Sequence, residues 1–226
     1  MKKRPKKPIN ISNPAKKISK LKKGWSWGYP FLLLLLISCN HQPIPPNYAM
    51  EFKQVNSVKP LVQNGDLIVR NGTDEISIAT RKFNRRDTTY SHCGLIQIEN
   101  DTVFVYHALG GRYNPSQHLM RQPIDSFCNP AEINKFAVFR YVLSATENNI
   151  LTGVIQKHFM NKLPFDMYFN TQTNDKMYCS EFVYKSLATA TGNNLMSTQH
   201  NKLPLYITID DLYAIPQIRV IKKINF

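Results

Sequence analysis

The chain has 226 residues, of which 42% are hydrophobic and 11% aromatic, enough for one globular domain with a core but not for two large ones. Its formal charge of +14 would suit a nucleic-acid partner, yet ten of the basic residues lie in residues 1–38, where no acidic residue occurs. The rest of the chain carries 19 basic and 15 acidic residues, so we expect no nucleic-acid partner.

The first segment has the pattern of a secretory signal peptide. A basic stretch precedes the apolar run Phe31–Ser38, which is far shorter than the ~20 residues of a membrane-spanning helix. The sequence "LISC", which ends at Cys39, resembles the lipobox of bacterial lipoproteins, whose cysteine becomes the acylated N-terminus. The resemblance implies a signal peptide over 1–38, lipidation of Cys39, and a tether over 39–60. A core strand, or an uncleaved anchor followed by a chance cysteine, is the alternative.

A lipidated Cys39 would anchor the protein to a membrane of the bacterial cell envelope, in the periplasm or at the outer membrane. Three cysteines then remain, namely Cys93, Cys128 and Cys179. The envelope is often oxidising, and an odd number leaves at least one cysteine unpaired within the chain. A disulfide that joins Cys179 to one of the other two stays open at this point.

Strand and helix patterns follow one another irregularly after the tether. The predicted strands are Gly65–Arg70, Ser91–Ile98, Thr102–Ala108 and Lys135–Val142. The predicted helices are a short one, or a loop, near Ile76–Ala79, an amphipathic one within 146–160, and one from about Tyr178 to Ala190 with Gly192 after its end. Because the elements do not alternate regularly, we expect an α+β domain with an antiparallel sheet over 61–226.

The second and third predicted strands form a hairpin, and each carries one histidine. A turn at 99–100 would place His92 opposite His107, whereas a turn at 100–101 would pair His107 with Gly94 and leave His92 diagonal on the same face. A three-residue loop would instead put the two rings on opposite faces. Asn and Asp favour two-residue turns, so we expect a shared face.

Two histidines on one face have more than one interpretation. Each can be an ordinary hydrogen-bonded, half-buried residue, and together they can form part of a metal site. No further ligands stand at a recognisable zinc spacing, and Cys93 points away from the face that His92 and His107 share. We therefore predict no metal and no cofactor, and assign no role to Cys93.

Cys179 lies where a predicted helix begins, in the stretch "YCSEFVYKSL". Free backbone N–H groups and the helix dipole favour negative charge there, and a nearby imidazolium would lower the thiol pKa further. A small buried core cysteine is the alternative. A helix-start cysteine, together with a strand histidine and an orienting group on the next strand, makes the papain-type arrangement.

Five motifs in this order carry a resemblance to a known family, namely "GDLI", "SHCGL", "VFVYHA", "PFDMYF" and "YCSEF". The stretch 61–190 resembles the permuted NlpC-type papain-like cysteine amidases, the YiiX/YaeF-like group, which is related to lecithin:retinol acyltransferase-like proteins. The resemblance implies a circularly permuted papain-like fold. It makes Cys179 the nucleophile, His92 the base and His107 the orienting residue.

Four other positions match the family at places that line the substrate pocket or support it, namely Asp66, Asp166, Tyr178 and Glu181, and the last three are the candidate substrate-binding residues. The implied activity is a cell-envelope cysteine hydrolase that cleaves an amide or related acyl bond through a thioester. Peptidoglycan stem peptides and acyl amides are the expected substrate classes, and acyl transfer by the same triad is a further option. The alternative is an envelope lipoprotein of the same fold that binds without catalysis.

Overall fold

The computed structural model describes residues 47–192, 206–216 and 218–226. The predicted signal peptide, Cys39 and residues 39–46 of the predicted tether lie outside the described residues. Within those three ranges, no helix is both long enough and apolar enough to cross a membrane. The described residues all belong to one compact unit.

Helices pack on both sides of an antiparallel sheet. The helices are α1 (Ala49–Val58), α2 (Glu75–Arg81), α3 (Ile124–Phe127), α4 (Ala145–Met160) and α5 (Cys179–Thr191). The strands are β1 (Leu67–Gly72), β2 (His92–Glu99), β3 (Thr102–His107), β4 (Met120–Pro123), β5 (Ile133–Tyr141) and β6 (Ile218–Asn225). In the part of the chain that the structure describes, these six strands form one sheet in the order β4-β3-β2-β1-β5-β6, with every pair antiparallel. The predicted α+β class is confirmed.

Alternate residues of the central strands pack into two separate hydrophobic cores, one on each face of the sheet. On the α4–α5 face, Leu67, Val69 and Leu95 pack with apolar side chains of α4 and α5. On the α1–α3 face, the alternating residues, such as Ile68 and Ile96, pack with α1 and α3. Since successive side chains of a strand point to opposite faces, both sides of β1 and β2 are largely buried, and most of their central residues are therefore apolar.

The β2–β3 hairpin has the tight turn that the sequence predicts. Glu99 pairs with Thr102, and Asn100 and Asp101 have φ angles of +46° and +61°, as in a type I′ turn. The register places Gly94 opposite His107, which confirms the turn at 100–101. A Cβ atom at Gly94 would lie 2.7 Å from the Tyr106 carbonyl oxygen, so the missing side chain lets β3 approach closely.

Helix α5 is defined at both ends by local interactions. The Glu181 carboxylate accepts a hydrogen bond from the Tyr178 N–H at 3.3 Å, which caps the first turn. Gly192 follows the helix with a φ angle of +63°, a conformation that glycine adopts without steric cost. Phe182 and Leu187 are fully buried against the sheet. This confirms the helix predicted from about 178 to 190 and orients its first residue toward β2.

Four of the described elements are not among the predicted ones, namely α1, β4, α3 and β6. Helix α1 occupies part of the segment assigned to the tether, and its Val55 and Val58 are fully buried in the core of the α1–α3 face. The folded domain therefore begins before residue 61. Strand β4 extends the sheet beyond β3 and places Gln122 beside the histidines.

Candidate active site

The two predicted histidines are direct neighbours on the α1–α3 face. His92 Nε2 lies 2.8 Å from His107 Nδ1, and the rings meet edge to face with centroids 4.9 Å apart. Phe127 of α3 contacts both rings, with centroid distances of 5.7 and 5.1 Å. His92 is 7% exposed and His107 is fully buried. The expected neighbourhood of the two imidazoles is confirmed.

Arg70 is a charged residue beside this pair that no motif of the sequence marks. It lies opposite His92 in the β1–β2 register, and its guanidinium stacks on Phe127 at 4.7 Å from the ring centroid. It also donates a hydrogen bond to the Phe127 carbonyl oxygen at 2.8 Å. A charged side chain at an apolar, core-facing position of a predicted strand is the signal that could have identified it.

Burial and the Arg70 charge keep both histidines neutral. The pKa of His107 is lowered to about 3 by burial and by Arg70, with a hydrogen bond to Gln122 acting in the opposite direction. The pKa of His92 is lowered well below its ordinary value by burial, by His107 and by Arg70. At neutral pH the pair therefore contains two uncharged rings, each with one N–H and one lone pair.

This lowered pKa predicts an acid-sensitive fold. Between pH 6.5, the ordinary His pKa, and about 3, the folded-state value, the unfolded chain binds a proton at His107 that the native chain does not. The stability that the neutral ring contributes is complete above pH 6.5 and is lost as the pH falls. The melting temperatures of the wild type and of His107→Gln should be measured at several pH values over this range. Plotted against pH, the two sets should converge on acidification. Parallel curves would contradict a buried neutral His107.

Cys179 is the first residue of α5 and packs against the core of the α4–α5 face. Its thiol pKa is lowered, first by a hydrogen-bonding interaction with the Cys93 side chain and then by the backbone N–H groups of Ser180 and Cys93, while burial opposes the change. Burial and Cys179 raise the pKa of Cys93 well above its ordinary value, so Cys93 keeps its proton. The lowered thiol pKa agrees with the expectation from the sequence, but its cause differs. The expected imidazolium is replaced by the neighbouring Cys93 thiol as the main group that lowers the pKa.

The thiol and the histidines approach β2 from different sides. Residues 92–94 of β2 pair with β1, whereas pairing with β3 begins at Leu95, so the other edge of β2 is open at His92 and Cys93. The Cys93 N–H interacts with the Cys179 sulfur at this edge. Among the described residues, no hydrogen bond joins Cys179 to His92. Contacts between a nucleophile and its base often tighten only in the substrate complex, and the open edge leaves a route between the two faces.

The three cysteines of the described domain are all free thiols in this structure. Cys128 is fully buried on the α1–α3 face, where burial raises its pKa. Cys93 is fully buried, and Cys179 is more exposed than either. The structure therefore does not contain the disulfide to Cys179 that the sequence left open.

Cys93 provides a test of the thiol environment. In Cys93→Ala the side-chain interaction that lowers the Cys179 pKa is lost, so alkylation of Cys179 by iodoacetamide at neutral pH should slow by about tenfold. The rate is measured by intact mass against time at several pH values. Cys128→Ala, which also removes one buried thiol but on the other face, should alkylate at the wild-type rate. An unchanged pH profile in Cys93→Ala would contradict the interaction.

The three residues predicted to bind substrate have their polar atoms occupied within the chain. The fully buried Asp166 carboxylate accepts the backbone N–H groups of Tyr168 and Asn170 at 2.9 and 2.6 Å. The Tyr178 hydroxyl accepts the N–H of Ile207 at 2.7 Å, and Glu181 forms an ion pair with Lys185 at 2.8 Å. These contacts hold a loop and the start of α5 in place, and a role in substrate binding stays a prediction.

An apolar rim, defined as Met167, Tyr168 and Phe169, lies next to the start of α5. Its side chains are 59%, 82% and 50% exposed, although all three are large and apolar or aromatic. The Phe169 ring lies 5.0 Å from the ring of Tyr178, the residue before Cys179. Sequence reasoning does not find this rim, because exposure is what distinguishes it from core.

An antiparallel sheet covered by helices, with a cysteine at the start of one helix and a histidine at the start of the strand it packs on, defines the papain-like class of folds. Residues 61–206 match the sequence profile of the family described as permuted papain-like amidase enzymes, YaeF/YiiX, C92. This match spans more than half of the chain, and the chain therefore belongs to this family.

Two relatives from Escherichia coli illustrate the likeness. The chain is 29% identical over 142 residues to a protein of strain K12 named "uncharacterized protein YiiX", a match that covers 62% of this chain and 64% of that protein. The crystal structure of a protein called metalloprotein yiiX, from strain O157:H7, superposes with a TM-score of 0.56 at 20% identity. It covers 73% of this chain and 98% of that one, and at this identity it shows the shared fold.

The name metalloprotein raises the question of whether this chain could hold a metal as well. In the three described ranges, no group of three or more His, Cys, Asp or Glu side chains is arranged so that it could hold an ion. The His92–His107 pair uses one nitrogen of each ring for their mutual hydrogen bond, and the second His107 nitrogen faces an amide oxygen. The histidine pair, as the structure describes it, therefore does not fit a metal centre.

Proposed function

We propose that this protein is a lipid-tethered cell-envelope cysteine hydrolase that cleaves an amide or related acyl bond through a thioester on Cys179. Membership of the papain-like amidase family supports the class of reaction. The observation that carries the proposal is a helix-start thiol with a lowered pKa at the open edge of β2, one residue from the strand position of a hydrogen-bonded histidine pair.

The hydrogen bonds around His92 define which nitrogen would act as the base. Its Nε2 is engaged by His107, so its Nδ1 is the atom available to take the Cys179 proton. The sulfur then attacks the carbonyl carbon, and the carbonyl electron pair moves onto oxygen to give a tetrahedral oxyanion. Backbone N–H groups at the start of α5 are the donors that would stabilise this charge.

Three further proton transfers, to the departing amine, from water and back to the sulfur, complete the turnover. The tetrahedral intermediate collapses with cleavage of the C–N bond, and His92 returns its proton to the departing amine. A water molecule then attacks the thioester, with His92 as the base, and releases the acid and the free thiol. The neutral state of both rings in the resting protein suits this role, because His92 can accept a proton without first losing one.

Two substrate classes suit the proposed reaction. The predicted envelope location favours peptidoglycan stem peptides. The apolar rim beside Tyr178 favours a second candidate, acyl amides or acyl transfer, because exposed aromatic side chains next to the nucleophile would contact an acyl chain.

The purified protein is incubated with muropeptides and, separately, with long-chain acyl amides, and amine release is followed together with intact mass. A hydrolase should release amine and, after acid quenching, carry an acyl adduct that peptide mapping places on Cys179. Transfer to an added amine or alcohol in place of water would identify the second candidate. No amine release and no adduct, with unreactive Cys179, would favour the noncatalytic binding lipoprotein.

A further inference from the structure

Gln122 is a polar side chain that lies beside the histidine pair and has no part in the proposed mechanism. It lies on β4 opposite Val105, so its side chain shares the α1–α3 face with that of His107. Gln122 Oε1 lies 3.1 Å from His107 Nε2, and His107 Nδ1 lies 2.8 Å from His92 Nε2. Both nitrogens of the fully buried His107 ring are therefore occupied, one by an amide and the other by His92.

The chemistry of these groups sets the direction of every proton in the chain of hydrogen bonds. An amide oxygen only accepts, so the His107 proton lies on Nε2 and the Nδ1 lone pair faces His92. His92 must then donate from Nε2, which leaves the lone pair on its Nδ1. That is the nitrogen required for a base toward Cys179.

We propose that Gln122 is a positioning residue, which fixes the His107 tautomer and thereby leaves the Nδ1 lone pair of His92 free to accept the thiol proton. This inference rests on the proposed function for its catalytic meaning, but the tautomers themselves are a property of the folded protein. The arrangement extends the predicted Cys-His-His set by a fourth member on the neighbouring strand. When His92 becomes protonated during turnover, it donates to a His107 lone pair that Gln122 holds in place.

The tautomers can be read directly from ¹⁵N-labelled protein by long-range imidazole correlation spectra at neutral pH. The wild type should show His92 and His107 both as Nε2–H tautomers, with signals assigned from His92→Gln and His107→Gln. In Gln122→Met, which keeps the volume but removes the acceptor, His107 should become a mixture of the two tautomers. Gln54→Met, on the exposed surface of α1, should leave both signals unchanged.

Two spectra would overturn the inference. One is a wild-type His107 protonated on Nδ1, which would mean that the Gln122 amide presents its N–H₂ to the ring. The other is a His107 signal in Gln122→Met that equals that of the wild type. Neither spectrum requires a substrate. If the tautomers are as expected but the protein hydrolyses nothing, the proposed function is refuted, whereas the effect of Gln122 on the tautomers still holds.

A variant that carries a charge at residue 122 provides a kinetic test, because a purely structural role of Gln122 would not affect the pH dependence of turnover. Gln122→Glu keeps an acceptor for the Nε2–H, so the tautomer should persist, while the added carboxylate favours the protonated ring. The histidine limb of the pH profile for turnover should therefore shift to higher pH, with Gln54→Glu as the control for charge alone. In Gln122→Met we expect kcat to fall by about tenfold with KM little changed. A change in KM alone, or an unshifted profile in Gln122→Glu, would refute the positioning role.

Discussion

Cys179→Ala is expected to abolish turnover, with kcat/KM falling by about 10⁴-fold or more, because no other group at the start of α5 can form the thioester. The fold should survive, since the substitution removes one sulfur from a position that is not fully buried. Amine release measures the activity. The free energy of unfolding, measured by thermal denaturation, should change by about 1 kcal/mol or less.

The matched control for this substitution is Cys128→Ala, which deletes a fully buried thiol on the α1–α3 face. It should retain turnover even if its stability falls further than that of Cys179→Ala, because it leaves a cavity in a packed core. If Cys179→Ala hydrolyses a confirmed substrate at the wild-type rate, the nucleophile has been misassigned and the thioester mechanism fails.

His92→Ala is expected to lose activity to a similar extent, because the protein then lacks a base for the thiol proton and an acid for the departing amine. His92→Gln separates chemistry from packing, since glutamine fills more of the space beside Phe127 and His107 but cannot take up the proton. Both variants should accumulate no acyl adduct on Cys179 under single-turnover conditions, as measured by intact mass.

Two comparisons sharpen the His92 prediction. His107→Gln should lose only about 10- to 100-fold, because its amide oxygen can still accept from His92 Nε2 and orientation contributes less than proton transfer. His118→Gln, at a partly exposed position outside the site, should behave as the wild type. Near-wild-type turnover in His92→Gln would refute the base assignment, as would a substrate-analogue complex in which His92 Nδ1 stays remote from the Cys179 sulfur.

The electrostatics of the site point to a resting state without an ion pair. Burial and Arg70 disfavour the charged form of both histidines, and the Cys179 pKa is lowered by Cys93 and backbone N–H groups rather than by an imidazolium. The sulfur is thus prepared for ionisation on one face of the sheet, while His92, the proposed base, stays neutral on the other. Proton transfer and attack would then occur together when substrate reaches the open edge of β2.

Much of the site framework was predictable from local patterns. The "END" turn at 99–101 has the Asn-Asp chemistry of a two-residue hairpin, and the strict alternation of a strand then determines that His92 and His107 share a face. Helix α5 was likewise predictable, because its apolar spacing and the following Gly192 are local signals. Such features depend on residues close together in the chain.

The unpredicted elements lack strong local signals. Strand β4 has four residues, ends in a proline and is only partly buried, so neither alternation nor an apolar run marks it. Strand β6 is largely exposed, and helix α1 follows a proline-rich segment that is typical of a tether. These elements form because the rest of the sheet and the core of the α1–α3 face offer them pairing partners and apolar contacts, which only the complete fold supplies.

The sequence by itself determined the order of the motifs, the shared sheet face of His92 and His107, and the position of Cys179 at a helix start. These features depend on hairpin register and helix capping, which are local. Only the tertiary structure decided that Cys93 lies beside Cys179, that Arg70 faces the histidines, and that Gln122 meets His107. Each of these contacts joins residues from different elements, and its partners follow from sheet order and helix packing. Sheet order and helix packing are determined by the burial of the whole core, and the residue spacing within any one segment does not reveal them.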